Sequence, residues 1–569
     1  MIRIEPKRQA APSPLKTAWF SYYIPGRENH PHAVFWSRAK RMSSQSLPPV
    51  GAHNQTEVYA VHGADPEVLA YAMAKYSRSA LSMRESLTEI SAQRAEQFLN
   101  TFYFQYGHRS IADLAHIAFA VERLSLLAAI VLVDEQRWDG QERSTRYQNF
   151  LKSGWFLPDF GSDSASANLY CETAENLFAT YQKTTAAVQG ALRQRVARPE
   201  AMKEDAYERT LKARAFDVAR YLLPLATNTS LGQIVNARTL ETQVSRLLSH
   251  PMAEVRDLGR RLRDAATGPA WNVSAQAGAA FVEKCAGDAQ LAAEAANLLT
   301  REVRTAPTLV KYAEPNAYLI ETRKELEQAA HELLKGVAPA KAPVVDLVER
   351  TEPLEVELAA TLLYWASHHP YRQVRDLAAG LPASRITEII ELGLRHRGRH
   401  DEALRAFHCG AALRFDILMD IGGFRDMHRH RRCVQIQQGF TAGHGYETPI
   451  AGDLGADVNL LADAGALDSY KAAVEGALNA SEQIAGGCAP EAASSALYLL
   501  PLATRMRCLF KMDFAEAQYI SELRSAPAGH FSYRRVAWEM FLALQRQHPT
   551  LAKYIRVTDF TQPIDLLQR

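Results

Sequence analysis

The heptapeptide "YLLPLAT" decides the fold, because it occurs twice, at Tyr221–Thr227 and again at Tyr498–Thr504. The copies lie about half a chain length apart in a sequence of 569 residues. Two apolar helical stretches can agree by coincidence, but seven identical residues in order favour a duplication. A weaker echo supports it, since Val68–Ser79 and Glu357–Pro370 both show helical patterns that end in small, polar or ring residues. The sequence therefore predicts two homologous units.

The unit boundaries follow from composition. The stretch "LLKGVAPAKAPVVD" holds two prolines, a glycine and several alanines, which suits a linker. We place an N-terminal extension at residues 1–50, the first unit at 51–335, the linker at 336–346 and the second unit at 347–569. The extension is basic and poor in acids, which favours a flexible or domain-wrapping segment and leaves a transit peptide open.

Periodicity predicts an α+β fold dominated by helix. Asn168–Gln194 and Ser469–Gly487 show a 3.6-residue apolar repeat, and Glu321–Lys335 resembles a surface helix. Strand-like runs are fewer, chiefly His116–Val133 and Arg414–Phe424. Each unit should therefore combine a small sheet with long helices.

Bulk composition limits the class of protein. Apolar residues make up 47% and charged residues 22%, and the formal net charge is only +2, so no overall field favours nucleic acid or an acidic membrane. The longest apolar run, Leu124–Val133, is about half of the roughly 20 residues that a membrane helix needs. The six cysteines are scattered without a C-x-x-C motif, which favours a reducing cytoplasm and indicates no metal site.

Positive charge is concentrated in "RDMHRHRRC", Arg425–Cys433, where four arginines and two histidines face a single acid, Asp426. A solvated basic face is the ordinary explanation of such a run. Arginine also offers forked donors to phosphate and neutralises anionic cofactors, and a buried-looking strand precedes this run. We therefore expect an anion site here. Nucleic-acid binding is the weaker alternative, because interleaved aromatic residues and a wider basic surface are lacking.

The stretch Tyr106–Tyr147 carries a resemblance. Its "GHRSIAD", a strand-like segment and then "QERSTRY" resemble the flavin-dependent thymidylate synthases, whose hallmark is Arg-His-Arg followed by Ser-x-Arg. The first unit has Ser144 and Arg146 but carries Asp134–Gln136 in place of Arg-His-Arg. The second unit has Arg429–Arg431 as Arg-His-Arg but lacks the Ser-x-Arg.

The same complementarity recurs downstream. The resemblance implies an Asn-x-Arg near the flavin, present only as Asn236–Arg238, and a Leu-Arg near the nucleotide, present only as Leu523-Arg524. Arg220 precedes the first YLLP and is Leu497 in the second copy. Each half has lost what the other keeps, which predicts one composite site between the halves.

The resemblance implies two tandem helix-rich domains of the thymidylate-synthase-complementing type, with the following site residues. Expected to bind the FAD cofactor are Arg429, His430, Arg431, Asn236, Arg238, His108 and Ser110. Expected to bind the pyrimidine nucleotide are Glu142, Ser144, Arg146, Arg220 and Arg524. Because family members are homotetramers with sites between subunits, we expect a homodimer that forms a pseudo-tetramer.

The implied reaction is the reductive methylation of deoxyuridine monophosphate or a related pyrimidine nucleotide, with FAD, NADPH and methylenetetrahydrofolate. It requires no side-chain nucleophile. The alternative is a non-catalytic flavin- or nucleotide-binding protein derived from the same family. Several residues also have structural interpretations: Ser144 as a cap, His108 at a helix start, His430 in the core, and Asn236 and Arg238 on a polar helix face.

Overall fold

The architecture comes from a computed structural model, which describes the following residues: 59–61, 63–75, 82–89, 99, 109–135, 137–317, 320, 343–347, 353–365, 376–395, 397, 407, 413–449, 459–487 and 493–567. Residues Gly63–Arg569 form one compact unit that contains both halves of the duplicated sequence. The other unit is Met1–His62, and nearly all of the predicted extension lies outside the described residues. The predicted helix Glu321–Lys335 also lies outside them.

The first half is built from a three-stranded antiparallel sheet and nine α-helices in the described ranges. Its elements are α1 (Pro66–Lys75), α2 (Met83–Glu89), β1 (His116–Ser125), α3 (Leu126–Leu132), β2 (Asp139–Glu142), α4 (Ser164–Arg195), α5 (Glu204–Ala219), β3 (Asn228–Asn236), α6 (Ala237–Leu248), α7 (Ala253–Thr267), α8 (Ala275–Lys284) and α9 (Ala289–Leu299). The strand order is β1-β3-β2.

The second half repeats this plan with one more strand. Its elements are β4 (Val345–Leu347), α10 (Leu354–Trp365), α11 (Ala383–Leu394), β5 (Leu413–Asp420), α12 (Ile421–Met427), β6 (Val434–Gln437), α13 (Leu460–Asp463), α14 (Leu467–Gly487), β7 (Arg505–Met512), α15 (Phe514–Ser525), α16 (Phe531–Gln547) and α17 (Pro549–Ala552). The order is β4-β5-β7-β6. Strand β4 includes Val345 and Asp346, so these last two residues of the expected linker belong to the sheet.

The two halves are topological repeats. In each, a strand runs into a short helix, a second strand, a long helix, the YLLPLAT segment, a central strand and another helix. The long helices α4 and α14 pack against each other. Both carry a buried stripe at helical spacing, such as Tyr170, Ala174 and Leu177 in α4, and Tyr470, Val474 and Ala477 in α14. The α+β class and these two predicted helices are confirmed.

The two YLLPLAT segments pair with each other. An antiparallel bridge joins Pro224 to Pro501, the Leu225 N–H donates to the Leu500 carbonyl at 2.9 Å, and the Leu502 N–H donates to the Leu223 carbonyl at 2.9 Å. Each of these two hydrogen bonds joins the positions that correspond to those of the other, so interchanging the halves converts one bond into the other. The repeat therefore lies on an approximate two-fold axis inside one chain, as in a fused isologous dimer.

Two segments that were expected to be strands throughout change to helix midway. Ser125 ends β1 and caps α3 by accepting from the Ala128 N–H at 2.9 Å, and Asp420 does the same for α12 through the Gly423 N–H at 2.6 Å. Short side-chain acceptors at such positions begin helices even within apolar runs. The expectation that Asn236 lies within a helix is wrong, because it ends β3 and caps α6. Among the described helices none is long and apolar enough to cross a membrane.

Candidate functional site between the two halves

A cleft of about 280 Å³ lies between the two halves. One wall is β2 with the residues just before it, and the other is the end of α12 with the turn that follows. The lining residues are Val133, Trp138, Asp139, Gly140, Gln141 and Glu142 from the first half, and Arg425, His428, Arg429 and Arg431 from the second. Three guanidinium groups thus face two carboxylates, so the cleft is cationic.

The local fold brings these side chains together. Strand β2 pairs antiparallel with β3, from Asp139 opposite Ile234 to Glu142 opposite Leu231. Helix α12 ends at Met427, and the His428 N–H closes its last turn on the Phe424 carbonyl at 2.7 Å. The Arg-His-Arg segment therefore follows a short helix. The sequence had predicted that a strand directly precedes it, and that prediction is wrong.

Ion pairs connect the halves across the cleft. Arg425 binds Glu142, and Arg220 Nη1 donates to Asp426 Oδ2 at 3.2 Å. Burial by itself raises the pKa of Asp426. Guanidinium groups nonetheless hold it at about 2, two from the first half and two from the second: Arg220, Arg146, Arg429 and Arg524. Asp426 is thus the point at which arginines of both halves act together.

Arg146 is buried beside this cluster. Its Nε pairs with Asp217 Oδ1 at 2.8 Å, Nη1 donates to the Tyr533 hydroxyl at 2.8 Å and Nη2 donates to the Ala528 carbonyl at 3.0 Å. The Ser144 hydroxyl accepts from the Arg146 N–H at 3.2 Å. The guanidinium therefore fastens the first half to the second, and Ser144 fixes the turn that carries it.

His430 is buried and pairs with Arg524, which is half-buried. Arg524 Nε donates to His430 Nε2 at 2.8 Å, while His430 Nδ1 lies 3.5 Å from Glu516 Oε1. Burial lowers the pKa of His430, although Glu516 opposes this. The imidazole does not line the cleft, so it orients Arg524, whose guanidinium also lies 5.4 Å from the ring centre of Tyr533.

Arg431 crosses to the first half while Arg429 stays exposed. Arg431 Nη1 donates to the Val133 carbonyl and, at 3.1 Å, to the Glu135 carbonyl. Its guanidinium lies 4.9 Å from the ring centre of Trp138. Burial and repulsion by Arg429 lower the pKa of Arg431 to about 10, so it stays charged at neutral pH.

The remaining predicted residues are not brought to this cleft. Asn236 Oδ1 accepts from the Thr239 N–H at 2.8 Å, and Arg238 pairs with Asp113 at 3.0 Å, both within the first half. His108 and the side chain of Ser110 lie outside the described residues. Of the twelve predicted residues, Arg429, Arg431 and Glu142 line the cleft. Arg146, Arg220 and Arg524 do not line it but act on Asp426, His430 pairs with Arg524, and Ser144 holds the turn that carries Arg146.

The first half has no charged residues at the positions that correspond to Arg425 and Asp426 of the second half. Counting from the caps Ser125 and Asp420, Ile130 and Val131 stand where the second half has Arg425 and Asp426. Glu135 Oε1 pairs with Arg246 at 2.9 Å, and burial raises the pKa of Glu135 despite this arginine. Arg246 thus neutralises a local acid and does not replace the missing Leu-Arg arginine.

Sequence reasoning gave no individual role to several members of the site, although three of them lie in the basic run where it expected an anion site. They are Arg425, Asp426, His428, Trp138, Asp217 and Tyr533. The density of the basic run was the signal for the first three, since α12 ends inside it. No three His, Cys, Asp or Glu side chains in the described part of the chain cluster closely enough to hold a metal ion.

The fold and the site together define a class of protein in which one chain holds two α+β repeats and a cationic cleft is lined by both. The profile of the family "Thymidylate synthase complementing protein" matches twice, over residues 59–268 and 346–550. The chain belongs to that family. A UPF0159 protein of Chlamydia pneumoniae is 27% identical over 536 residues, which cover 88% of this chain and 91% of that protein.

Other relatives differ in how much of the chain they match. A UPF0159 protein of Thermoplasma acidophilum is 23% identical over 86% of this chain and 94% of its own length. A flavin-dependent thymidylate synthase of Clostridium tetani is 27% identical over 177 residues, covering 31% of this chain and 67% of that protein. The duplicated length is therefore shared with the UPF0159 proteins.

Proposed function

We propose that this chain is a flavin-dependent enzyme that methylates deoxyuridine monophosphate, or a related pyrimidine nucleotide, in the cleft between its halves. The observation that carries the proposal is the convergence of Arg146 and Arg220 from one half with Arg429 and Arg524 from the other around Asp426. Membership of the family and similarity to the flavin-dependent thymidylate synthase of Clostridium tetani support it.

The donor set suits a phosphate. Arg220 is 1% exposed, yet its Nε and Nη2 have no hydrogen-bond partner among the described residues, and the same holds for Arg425 Nε. Buried donors without partners cost about 1–3 kcal/mol each, which an anionic ligand would offset. Arg429, exposed at the cleft, would provide the first charge that an entering nucleotide meets.

The cleft also suits part of a flavin. Arg429, Arg431 and the Trp138 ring would hold the FAD, which supplies the redox chemistry when bound. The chain itself would orient the nucleotide and place positive charge where negative charge develops. NADPH and methylenetetrahydrofolate complete the proposal as reductant and carbon donor.

A homodimer belongs to the same proposal. Asn236 ends β3, Arg238 lies in the first turn of α6, and the Arg238 side chain is 44% exposed. A second copy of the chain would bring this surface to a cleft and rebuild a four-unit assembly. The molar mass in solution tests this: twice the chain mass is expected, and a monomer that binds FAD with full affinity would contradict it.

A non-catalytic flavin- or nucleotide-binding protein is the second candidate. It is favoured by Arg146, whose described contacts to Asp217, Tyr533 and the Ala528 carbonyl already engage each nitrogen of its guanidinium. Turnover of deoxyuridine monophosphate by a flavin-loaded protein separates the two candidates.

The first experiment is the visible absorption spectrum after addition of FAD and desalting, on wild type, Arg429→Ala and Arg432→Ala. Arg432 is the matched control from the same basic run, because it pairs with Asp513 at 3.0 Å outside the cleft lining. We expect a retained flavin band in wild type and Arg432→Ala, and at least about tenfold weaker binding in Arg429→Ala. Absence of flavin uptake by wild type would overturn the proposal.

A further inference from the structure

His428 is a cleft residue without a role in the proposal above. It follows α12, is 3% exposed, and stacks on Phe424 with ring centres 4.9 Å apart. Its Nδ1 lies 2.8 Å from Gln435 Oε1 on the neighbouring strand β6. The ring is therefore held in a fixed orientation.

The surrounding hydrogen bonds fix which nitrogen carries the proton. Gln435 Nε2 donates to the His430 carbonyl at 2.8 Å, and a carbonyl oxygen can only accept. The amide must then present its Oε1 to His428, so His428 Nδ1 must be the protonated nitrogen. Nε2 of the neutral ring is left with its lone pair.

That lone pair has no donor. His428 Nε2 has no hydrogen-bond partner among the described residues, and Asp134 Oδ1 lies 3.8 Å away. The other Asp134 oxygen accepts from Gln437 Nε2 at 3.4 Å. Two acceptors, one from each half, thus lie close together. A donor to one side of the line that joins them can lie about 2.9 Å from both atoms and share its hydrogen between them.

We propose that His428 Nε2 and Asp134 Oδ1 together accept a hydrogen bond from an imide N–H of the ligand. This rests on the proposed function, because the uracil ring and the isoalloxazine ring both carry an N–H between two carbonyl groups. Arg425, Arg429 and Arg431 supply cations beside it for carbonyl oxygens and phosphate. Asp134 stands where the Arg-His-Arg motif would have its first arginine, and this proposal gives it the role of a hydrogen-bond acceptor.

The protonation state of His428 sets a pH limit on this recognition. Burial lowers its pKa, against the pull of Asp134 and the Gln435 hydrogen bond, and Arg431 and Arg246 lower it further. The ring is therefore neutral at pH 7. At a pH below that lowered pKa, Nε2 gains a proton and donates to Asp134, so the acceptor is lost and ligand affinity falls.

The test is calorimetric titration of deoxyuridine monophosphate, its N3-methyl analogue and FAD, each separately, into wild type and His428→Phe. Phenylalanine keeps the stack on Phe424 but has no nitrogen, and His444→Phe is the control from outside the cleft lining. We expect an affinity loss of about tenfold in His428→Phe. A loss with the nucleotide assigns the uracil imide, and a loss with FAD assigns the flavin imide.

The results that would contradict this inference differ from the result that would also contradict the proposed function. Wild-type binding that His428→Phe leaves unchanged overturns the inference alone. An equal loss for the nucleotide and its N3-methyl analogue also overturns it. Failure of wild type to bind either ligand overturns both proposals. Nitrogen-15 NMR gives a ligand-independent check: the Nδ1–H tautomer is expected, and an Nε2–H tautomer contradicts the proposal.

Discussion

Asp426 shows how a single residue joins the two halves. Arg220 is almost wholly buried against it, and the second copy of the repeat has leucine at the position of Arg220. We predict that Arg220→Leu lowers the free energy of unfolding by about 3 kcal/mol, because it removes the guanidinium that donates a hydrogen bond to the buried side of the Asp426 carboxylate. Combining it with Asp426→Val should restore at least half of the loss. Urea unfolding measures both, and a double variant no more stable than the single one would contradict this account.

His530 gives a pH prediction at the same scale. It is fully buried, its Nε2–H donates to the Asp217 carbonyl at 2.8 Å, and burial holds its pKa well below the usual value. In the unfolded chain His530 binds a proton at about pH 6.5, whereas in the folded chain it stays neutral at that pH. The free energy of unfolding therefore falls as the pH drops below about 6.5. Relative to His530→Asn, wild type should lose up to about 1.4 kcal/mol per pH unit there. Parallel stability curves for the two proteins would refute this.

The sequence could predict some of these residues and not others. Arg429 and Arg431 were predictable because a dense basic run in a nearly neutral chain needs an anion or a solvated face. His428 and Asp426 belong to the same run, but their roles depend on where α12 begins and ends. That depends on the Asp420 cap, which periodicity does not reveal.

At the scale of the element, strand β2 is held against β3 by a glycine. A Cβ on Gly140 would overlap the Gly232 carbonyl and the Trp138 ring, whereas a Cβ on Gly232 would meet nothing nearer than the Phe119 carbonyl at 3.8 Å. We predict that Gly140→Ala pushes β2 away from β3, moves the Trp138 ring from Arg431 and weakens FAD binding at least tenfold. Gly232→Ala should bind normally. Equal behaviour of the two variants, measured by flavin titration, would contradict this.

The strand-to-helix junctions show where element prediction fails. His116–Val133 is apolar enough for a continuous strand, but the Ser125 hydroxyl caps a helix and ends the strand there. It accepts from the Ala128 N–H and donates to Glu254 at 2.7 Å, and Tyr498 of the other half donates to the same carboxylate at 2.7 Å. The helix start is thus fixed by tertiary partners far along the chain, which local patterns cannot contain.

At the scale of the whole molecule, the repeated heptapeptide predicted the architecture correctly because it forms the contact between the halves. The pairing of Pro224 with Pro501 could be inferred only from coordinates. Complementary loss of motifs predicted a shared site, and the cleft is lined by both halves. Asn236 and Arg238 lie outside this cleft, where Asn236 caps α6 and Arg238 pairs with Asp113.

The central claim is one cleft per chain, built from both halves. The most direct test is the ratio of bound FAD to chain in wild type, Trp138→Leu and Arg429→Ala, measured by absorption at saturating and limiting FAD. The account predicts one FAD per chain in wild type and at least about tenfold weaker binding in each variant, because both residues line the same cleft. Two FAD per wild-type chain, with one retained tightly by each variant, would mean that each half carries its own site and would contradict the account.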